Sequence, residues 1–296
     1  MNCTCNVFRR LSRPMLTAET RKFNGRRFMN NTLQSFSMEG KVCVVTGAAG
    51  GLGKTFCRAF AESGCNSLAI LDLKHEEAQA AAEELKTAVE RTKKDMPDFV
   101  GIQCDISSED SVRDAFSQVM SRWGRVDAVV ANAGIIHNIS ALEYPADKMK
   151  RLYDINVHGT MFTAREAAKN MIPAGKGNIV LIASAGGSVV STPQAQTPYN
   201  TWKAAVKHLA ANLAVEWAEK GLRVNSLSPG YMLTDLLKSI IATDDNGLKD
   251  IWESMTPMKR MGNPDDLKGA IVYLCSDASK FVTGLDLRVD GGYTVL

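Results

Sequence analysis

The sequence has no apolar run long enough to cross a membrane. Its 296 residues are 45% hydrophobic and 23% charged, but no stretch reaches the roughly eighteen consecutive apolar residues that a spanning helix needs. We therefore expect no transmembrane segment and no membrane partner. The composition is that of a globular protein with a sizeable core, and the length allows one large α/β domain or two small ones.

Cysteine pairs and histidine clusters are also missing. The seven cysteines are odd in number, include no C-x-x-C pair, and several lie inside apolar runs. Buried, reduced thiols in an intracellular compartment are the simplest interpretation. The four histidines are dispersed along the chain without the spacing of a ligand set, so we expect no metal site.

Acidic residues are nearly absent from residues 1–37. This leader holds seven Lys or Arg and one acid, Glu19, for a net charge of +6, whereas the remainder carries −3. Such a composition is typical of a mitochondrial transit peptide; a disordered tail, or a start at Met29 or Met38, is the alternative. We expect the mitochondrial matrix or the cytoplasm. Because the rest of the chain is mildly acidic, its charge does not indicate a nucleic-acid partner.

From Lys41 onwards, short apolar runs alternate with helical stretches. The runs predict strands at residues 41–46, 66–72, 99–105, 127–131, 178–184, 223–227 and 285–289. Long helical patterns follow the first two strands, at residues 54–63 and 75–94. Neither a linker nor a tandem repeat follows residue 38. The alternation predicts one α/β domain over residues 38–296, with a parallel sheet covered on both faces.

A glycine-rich segment, Thr46–Gly53, joins the first predicted strand to the first helix. Glycines there let the backbone turn tightly and approach a pyrophosphate, which the helix N-terminus then stabilises. Asp72 ends the second strand, nineteen residues after Gly53. A carboxylate in that place accepts hydrogen bonds from ribose hydroxyls and repels a 2′-phosphate. We expect NAD(H), with NADP(H) as the alternative because Lys74 would offset part of the repulsion.

Tyr199 and Lys203 are four residues apart, and therefore lie on the same face of a helix. A tyrosine with a pKa of about 10 is a poor acid or base at neutral pH. A neighbouring ammonium and an oxidised nicotinamide both favour the phenolate. The pair follows the fifth predicted strand, which ends at Ser184.

Together these segments resemble the short-chain dehydrogenase/reductase family. The matching motifs, in chain order, are Thr46–Gly53, Asn132-Ala133-Gly134, Asn156, Ser184, Tyr199 with Lys203, and Pro229-Gly230. The resemblance covers about residues 40–296. It implies a single Rossmann-type, doubly wound domain with a seven-stranded parallel sheet, assembled as a homotetramer or dimer, that moves hydride between a nicotinamide and a small alcohol or ketone.

The resemblance also implies a role for each matching residue. Tyr199 would be the general acid/base, Lys203 would hold the nicotinamide ribose and lower the tyrosine pKa, and Ser184 would bind the substrate oxygen. Asn156 would anchor the water of a proton relay. Ser184 lies fifteen residues before Tyr199, with Ser188 and Ser191 as nearby competitors. The implied cofactor contacts are Thr46, Gly47, Gly51, Leu52, Gly53, Asp72, Asp105, Ile106, Asn132, Ala133, Gly134, Tyr199, Lys203, Pro229, Gly230 and Thr234.

The substrate is indicated less directly. Residues 234–257, where the family closes over its substrate, contain Leu236, Leu237, Ile240, Ile241, Trp252 and Met255. The segments at residues 228–231, 252–254, 256–258 and 289–293 resemble fungal polyol dehydrogenases and ketose reductases, above all the D-arabinitol 2-dehydrogenase type. This implies interconversion of a sugar alcohol and a ketose. Reduction of an apolar ketone in secondary metabolism, and a non-catalytic NAD(H) sensor, are the alternatives.

Overall fold

Seven strands of the computed structural model form one parallel sheet. The structure describes residues 32–90, 96–242 and 247–295, without the side chains of Glu90, Leu236 and Ile240. The strands are β1 (Val42–Thr46), β2 (Ser67–Asp72), β3 (Asp98–Gln103), β4 (Ala128–Ala131), β5 (Gly177–Ile182), β6 (Leu222–Pro229) and β7 (Asp286–Val289). Their order in the sheet is β3-β2-β1-β4-β5-β6-β7, and every pair is parallel. The predicted doubly wound, seven-stranded sheet is confirmed.

Each predicted strand is present, with ends shifted by up to two residues. The strand expected to end at Ser184 stops at Ile182, so Ser184 lies in the loop that follows. The strand expected to end at Leu227 continues to Pro229, because Ser228 and Pro229 pair with Arg288 and Val289 of β7. These shifts matter because the site residues follow the strand ends.

Nine α-helices connect and cover the strands in the described part of the chain. They are α1 (Gly51–Glu62), α2 (His75–Glu90), α3 (Glu109–Trp123), α4 (Ala146–Tyr153), α5 (Thr160–Met171), α6 (Thr197–Trp217), α7 (Asp235–Ala242), α8 (Leu248–Met255) and α9 (Lys268–Cys275). A π-helical turn, Asp154–Gly159, joins α4 to α5. The helix expected to reach Lys94 is described as far as Glu90, and its predicted end lies outside the described residues.

The sheet buries both of its faces. All five residues of β1 are buried, and alternate side chains enter two separate hydrophobic clusters. Phe56 and Phe60 of α1 pack in one cluster, and Phe116 of α3 packs in the other. Burial on both faces fixes the strands, since each core aromatic side chain contributes on the order of 1.5–3 kcal/mol. The strand ends are therefore rigid supports for the loops that follow.

The cysteines of the described residues are buried. Burial raises the pKa of Cys104 and of Cys275 to about 12, so both remain unreactive thiols at neutral pH. Cys3 and Cys5 lie outside the described residues. In the same part of the chain, none of the helices is long and apolar enough to span a membrane.

Residues 32–37, which belong to the expected leader, contact the domain. The carbonyl oxygen of Ser35 accepts a hydrogen bond of 2.9 Å from the backbone N–H of Ala278. The ring of Phe36 lies 6.3 Å from that of Tyr273 in α9. Residues 1–31 lie outside the described residues, and the boundary at residue 37 stays a prediction.

Candidate active site

The loops that follow β1, β4, β5 and β6 meet at one edge of the sheet. The glycine-rich turn follows β1, Asn132 follows β4, and Ser184 follows β5. β1 and β4 are neighbours in the sheet although three strands apart in the chain. Such a switch point opens a crevice at the carboxyl ends of the strands, where doubly wound proteins bind their ligands.

Two side chains lock this crevice across the switch point. The hydroxyl oxygen of Thr46 accepts hydrogen bonds from the backbone N–H groups of Asn132 (3.1 Å) and Ala133 (3.2 Å). In return, the side-chain amide of Asn132 donates to the carbonyl oxygens of Thr46 and Gly47, both at 3.0 Å. Thr46 and Asn132 therefore hold the two loops in one fixed arrangement.

The glycine-rich turn leaves open space in which an anion can bind. A Cβ atom on Gly53 would lie 2.2 Å from the carbonyl oxygen of Gly47, whereas a Cβ atom on Gly50 or Gly51 would meet nothing within 4 Å. Gly50 caps α1 without a side-chain hydrogen bond, and the first turn of α1 holds no acid. The first N–H groups of the helix are therefore free for phosphate oxygens, and the turn fits a dinucleotide pyrophosphate.

Asp72 touches the tip of the same turn. One carboxylate oxygen accepts from the backbone N–H of Ala49 at 2.9 Å and the other from that of Leu73 at 2.8 Å. A carboxylate can accept more hydrogen bonds than these two, so capacity remains for ribose hydroxyls. Lys74 pairs with Glu77, with 2.6 Å between Nζ and Oε1.

Asp105 and Ile106, two of the implied cofactor contacts, make contacts within the domain. The Asp105 carboxylate accepts from the N–H of Ser107 at 2.9 Å and from its hydroxyl at 2.6 Å. Ile106 is buried against Gly159, where an added Cβ would lie 2.6 Å from its Cδ1 atom. Neither residue lines the cavity described below.

Asn156 is presented by the π-helical turn between α4 and α5. Its side-chain oxygen accepts from the backbone N–H of Ile135 at 2.9 Å, and its side-chain nitrogen donates to the carbonyl oxygen of Ile135 at 2.8 Å. Asn156 is completely buried, and Gly134 leaves no room for a Cβ atom beside it. The side chain therefore fixes the loop after β4. π-helical turns of this kind are frequent at functional sites.

Lys203 extends from α6 into the protein below the cavity. Its ammonium donates a hydrogen bond of 2.8 Å to the carbonyl oxygen of Ile182 and lies 5.7 Å from the centre of the Tyr199 ring. The side chain is 5% exposed, and burial lowers the pKa of Lys203 to about 8. The predicted spacing has thus brought Tyr199 and Lys203 together on one helix face.

Tyr199 and Ser184 meet in the same cavity. Burial raises the pKa of Tyr199 above its ordinary value, and a hydrogen bond with Ser184 acts in the opposite direction. The Ser184 hydroxyl also accepts from the backbone N–H of Gly186 at 3.2 Å. Of the two competing serines, Ser188 accepts a hydrogen bond from Lys207 at 2.8 Å and lies outside the cavity lining, whereas Ser191 lines it.

The cavity at this edge has a volume of about 300 Å³. The predicted site residues that line it are Leu52, Asn132, Gly134, Ser184, Tyr199, Lys203, Pro229, Gly230 and Thr234. Apolar side chains cover much of the remaining wall, among them Ile136, Met232 and Leu237. Trp252 and Leu248 of α8 complete it. The side chains of Leu236 and Ile240, expected over the substrate, lie outside the described residues.

Comparisons with known proteins identify the family. The model of a family described as enoyl-(acyl carrier protein) reductase matches residues 47–294. A D-arabinitol 2-dehydrogenase [ribulose-forming] of Candida tropicalis is 38% identical over 272 residues, which are 89% of this chain and 96% of that protein. The chain belongs to the short-chain dehydrogenase/reductase family.

The names of two further relatives include a nicotinamide cofactor. An NADH-dependent L-xylulose reductase of Ambrosiozyma monospora is 38% identical, with 90% of this chain and 99% of that protein covered. The crystal structure of a gluconate 5-dehydrogenase from Burkholderia cenocepacia in complex with NADP and tartrate has a TM-score of 0.82 and 31% identity, covering 89% and 99% of the two chains. This short-chain dehydrogenase is an NAD(P)-dependent oxidoreductase that interconverts a secondary alcohol and a ketone.

Several polar residues of the dehydrogenase's cavity were not found from the sequence. Asn138, Gln194 and Gln196 line it, and so does Tyr293 from the C-terminal turn, which belongs to the segment 289–293. Gln194 lies in the fifteen-residue interval between Ser184 and Tyr199, and the length of that interval was the available signal. His137, in the loop after β4, contacts the Tyr144 hydroxyl at 2.9 Å and is not among the residues that line the cavity.

Proposed function

We propose that this short-chain dehydrogenase interconverts a sugar alcohol and a ketose, using NAD(H). The observation that carries the proposal is the character of the cavity around Ser184 and Tyr199. Among its lining residues, Lys203 is the one charged side chain, while hydroxyl and carboxamide groups are numerous. A neutral substrate rich in hydroxyl groups suits such a lining. The names of the relatives, a pentitol dehydrogenase and a ketose reductase among them, support the same class.

Tyr199 is proposed as the general acid/base. In oxidation its phenolate oxygen would take the proton of the substrate hydroxyl, and in reduction it would return that proton to the carbonyl oxygen. A bound nicotinamide supplies the hydride acceptor or donor. Ser184, which hydrogen-bonds with Tyr199, would donate to the substrate oxygen and orient it.

Lys203 and Asn156 are proposed as supporting residues of the same reaction. With a pKa of about 8, Lys203 remains mostly protonated at pH 7, and its positive charge favours the phenolate of Tyr199. It would also hold the nicotinamide ribose. Asn156, fixed on Ile135, would anchor the water through which the proton leaves.

Asp72 supports NAD(H) over NADP(H) in this proposal. Its carboxylate is held at the tip of the glycine-rich turn. There it would accept hydrogen bonds from the ribose hydroxyls and repel a 2′-phosphate. Lys74, the cation that would favour a phosphate, is paired with Glu77. The pyrophosphate would lie over Gly50 and Gly51, at the N-terminus of α1.

The assembly and the compartment are further proposals. We propose a homotetramer or dimer, as in the family, and residues 1–37 as a leader to the mitochondrial matrix, with a cytoplasmic enzyme as the alternative. Residues 1–37 fused to a fluorescent protein would accumulate in mitochondria if the leader is a targeting signal. A diffuse signal throughout the cytoplasm would refute it.

The proposal is tested by initial rates with NAD⁺ and NADP⁺ against D-arabinitol, xylitol, mannitol, sorbitol and bulky apolar secondary alcohols. Turnover confined to polyols with NAD⁺ is expected. Turnover confined to the apolar alcohols would favour the apolar ketone reductase, for which Ile136, Met232 and Leu237 would supply the pocket wall.

Tyr199→Phe is the control for chemistry. It is expected to lower kcat by about 100-fold or more while NADH binding stays intact. A wild-type protein that binds NADH but turns over none of the alcohols, and is indistinguishable from Tyr199→Phe, would favour the non-catalytic sensor.

A further inference from the structure

Four side chains from distant parts of the chain form a polar cluster in the wall of the catalytic cavity. Gln194 precedes α6, Tyr231 follows β6, Trp252 belongs to α8, and Tyr293 lies in the C-terminal turn. None has a part in the proton transfer proposed above. All four line the same cavity as Ser184 and Tyr199, so we call them the Gln194 cluster.

The orientation of the Gln194 amide is fixed by its neighbours. The indole N–H of Trp252 can only donate, and it does so to the Gln194 side-chain oxygen at 3.1 Å. The opposite end, Nε2, therefore donates to the hydroxyl oxygen of Tyr231 at 2.7 Å. One N–H group and one lone pair of the amide have no part in these two bonds, and they are available to a ligand in the cavity.

The Tyr231 hydroxyl is held in place by its neighbours. Its ring stacks on that of Trp252, with centroids 4.8 Å apart and an interplanar angle of 17°. The oxygen accepts from Gln194. The hydroxyl also lies 3.5 Å from the carbonyl oxygen of Thr192 and close to the Ser191 and Tyr293 hydroxyls. Burial holds the pKa of Tyr231 above its usual range, so the hydroxyl stays neutral and protonated.

Tyr293 supplies the decisive observation. Tyr293 is 6% exposed, and its hydroxyl makes no hydrogen bond of 3.5 Å or less with any described residue, although the Tyr231 hydroxyl lies close to it. The turn that carries it is well built: the Asp290 carboxylate accepts from the backbone N–H groups of Gly292 (2.9 Å) and Thr294 (3.0 Å). A buried hydroxyl without a partner destabilises a fold, so a rigid turn that keeps one beside a catalytic cavity indicates a partner that arrives with the ligand.

We propose that Tyr293, together with Gln194 and Tyr231, binds hydroxyl groups on substrate carbons other than the one that is oxidised. The inference rests on the proposed function and names the residues that would determine its substrate specificity. A hydroxyl both donates and accepts, as do a phenol and an amide, and the cluster carries no charge. It therefore selects a neutral polyhydroxylated chain over a monohydroxy alcohol and over a carboxylated sugar acid.

The test is Tyr293→Phe, which removes one oxygen and breaks no hydrogen bond of 3.5 Å or less among the described residues of the free protein. For D-arabinitol, kcat/KM is expected to fall about 3- to 10-fold, the effect of one hydrogen bond, mainly through KM. For 2-pentanol, which has no second hydroxyl, it is expected to change less than about twofold. If 2-pentanol has no measurable turnover, its inhibition constant against D-arabinitol replaces kcat/KM.

Tyr273→Phe is the matched control, because Tyr273 contacts Phe36 away from the cavity; it should leave both substrates unaffected. Gln194→Met, which has similar volume and no hydrogen-bonding amide, should repeat the selective loss. Equal effects of Tyr293→Phe on the two alcohols, or no effect on either, would overturn the inference. Wild-type protein inactive on every polyol would instead refute the proposed function.

Discussion

At the scale of single residues, the site keeps groups that the fold would be more stable without. Lys203 is an ammonium with 5% exposure and one hydrogen bond to protein, to Ile182. Tyr293 keeps a buried hydroxyl that makes no hydrogen bond of 3.5 Å or less in the described part of the chain. Each such group costs on the order of 1–3 kcal/mol. These destabilising groups both line the cavity. This is expected because binding and proton transfer need groups that packing alone does not favour.

Lys203→Met is expected to raise the free energy of unfolding at pH 7 by about 1–3 kcal/mol while abolishing turnover. Burial lowers the pKa of Lys203 from 10.5 to about 8, which corresponds to about 3 kcal/mol in favour of the neutral form, less about 1 kcal/mol for the lost hydrogen bond. Urea denaturation with fluorescence detection measures it.

The pH dependence of that gain has a definite sign. Between about pH 8 and 10.5 the unfolded chain keeps the Lys203 proton that the folded chain has lost, so wild-type stability rises with pH in this window. The advantage of Lys203→Met should shrink there. Lys207→Met, one turn further along α6 and bonded to Ser188, should give no gain. A variant less stable than wild type at pH 7 would contradict the argument.

Asp72→Asn is expected to lower the preference for NAD⁺ over NADP⁺ by about 10- to 100-fold in kcat/KM. The substitution removes the negative charge that would face a 2′-phosphate, a repulsion of several kcal/mol when unscreened. The amide oxygen can still accept from the backbone N–H of Ala49, which keeps the contact with the turn, while the bond from Leu73 is lost. Glu83→Gln, on the exposed face of α2, is the control. An unchanged preference would show that another group selects the cofactor.

The site residues that could be predicted from the sequence are those with a regular spacing along the chain. Tyr199 and Lys203 share a helix face because they are four residues apart, and their partner Ser184 follows a recognisable strand. Gln194, Tyr231, Trp252 and Tyr293 come together from four separate segments of the chain. No local pattern encodes that meeting, so the cluster could be found only from the structure.

At the scale of elements, hydrophobic periodicity predicted where strands and helices occur, but it did not predict the residues at which they end. β6 extends past Leu227 because β7 pairs with it, and that pairing is a tertiary contact. The π-helical turn Asp154–Gly159 was not predicted either. A single i→i+5 turn inside two helical segments leaves no periodic signal, although it presents Asn156 to Ile135.

Gly53→Ala is expected to destabilise the protein by about 1–3 kcal/mol and to weaken NADH binding about tenfold or more. An added Cβ would lie 2.2 Å from the carbonyl oxygen of Gly47 and 2.7 Å from the Asn132 side-chain nitrogen, so the glycine-rich turn must move. Thermal denaturation and NADH titration measure both effects.

Gly269→Ala is the matched control, because Gly269 is also helical but has nothing within 4 Å of its added Cβ. Alanine is the better helix former, so this change should raise stability by about 0.5–1 kcal/mol. If both substitutions stabilise, Gly53 is not held by contact with Gly47.

At the scale of the whole molecule, alternation of strands and helices predicted the parallel sheet, and the family resemblance implied its seven strands; the order of the strands came from the structure. The consequence of that order is the crevice between β1 and β4, where Thr46 and Asn132 bind one another's loops. The extent of the domain at its N-terminus was harder to predict. The composition of residues 1–37 is uniformly basic, whereas the contacts of Ser35 and Phe36 depend on α9 and the turn after it.

Two deletions test where the domain begins. Removing residues 1–31 should leave the melting temperature unchanged, because the leader is expected to be removable. Removing residues 1–37 also deletes the hydrogen bond from Ala278 to Ser35 and the packing of Phe36 on Tyr273, a loss of about 1–2 kcal/mol. For a domain of this size that corresponds to a decrease of about 2–8 °C.

Differential scanning fluorimetry at equal protein concentration compares the two deletions with the full chain, and D-arabinitol oxidation checks that each retains the site. Ser35 and Phe36 act through α9, away from the cavity, so the longer deletion should lose stability without a change in KM. Equal melting temperatures for the two deletions would put the boundary at residue 38, where the charge pattern places it. A decrease already on removal of residues 1–31 would mean that the basic segment, too, contributes to the fold.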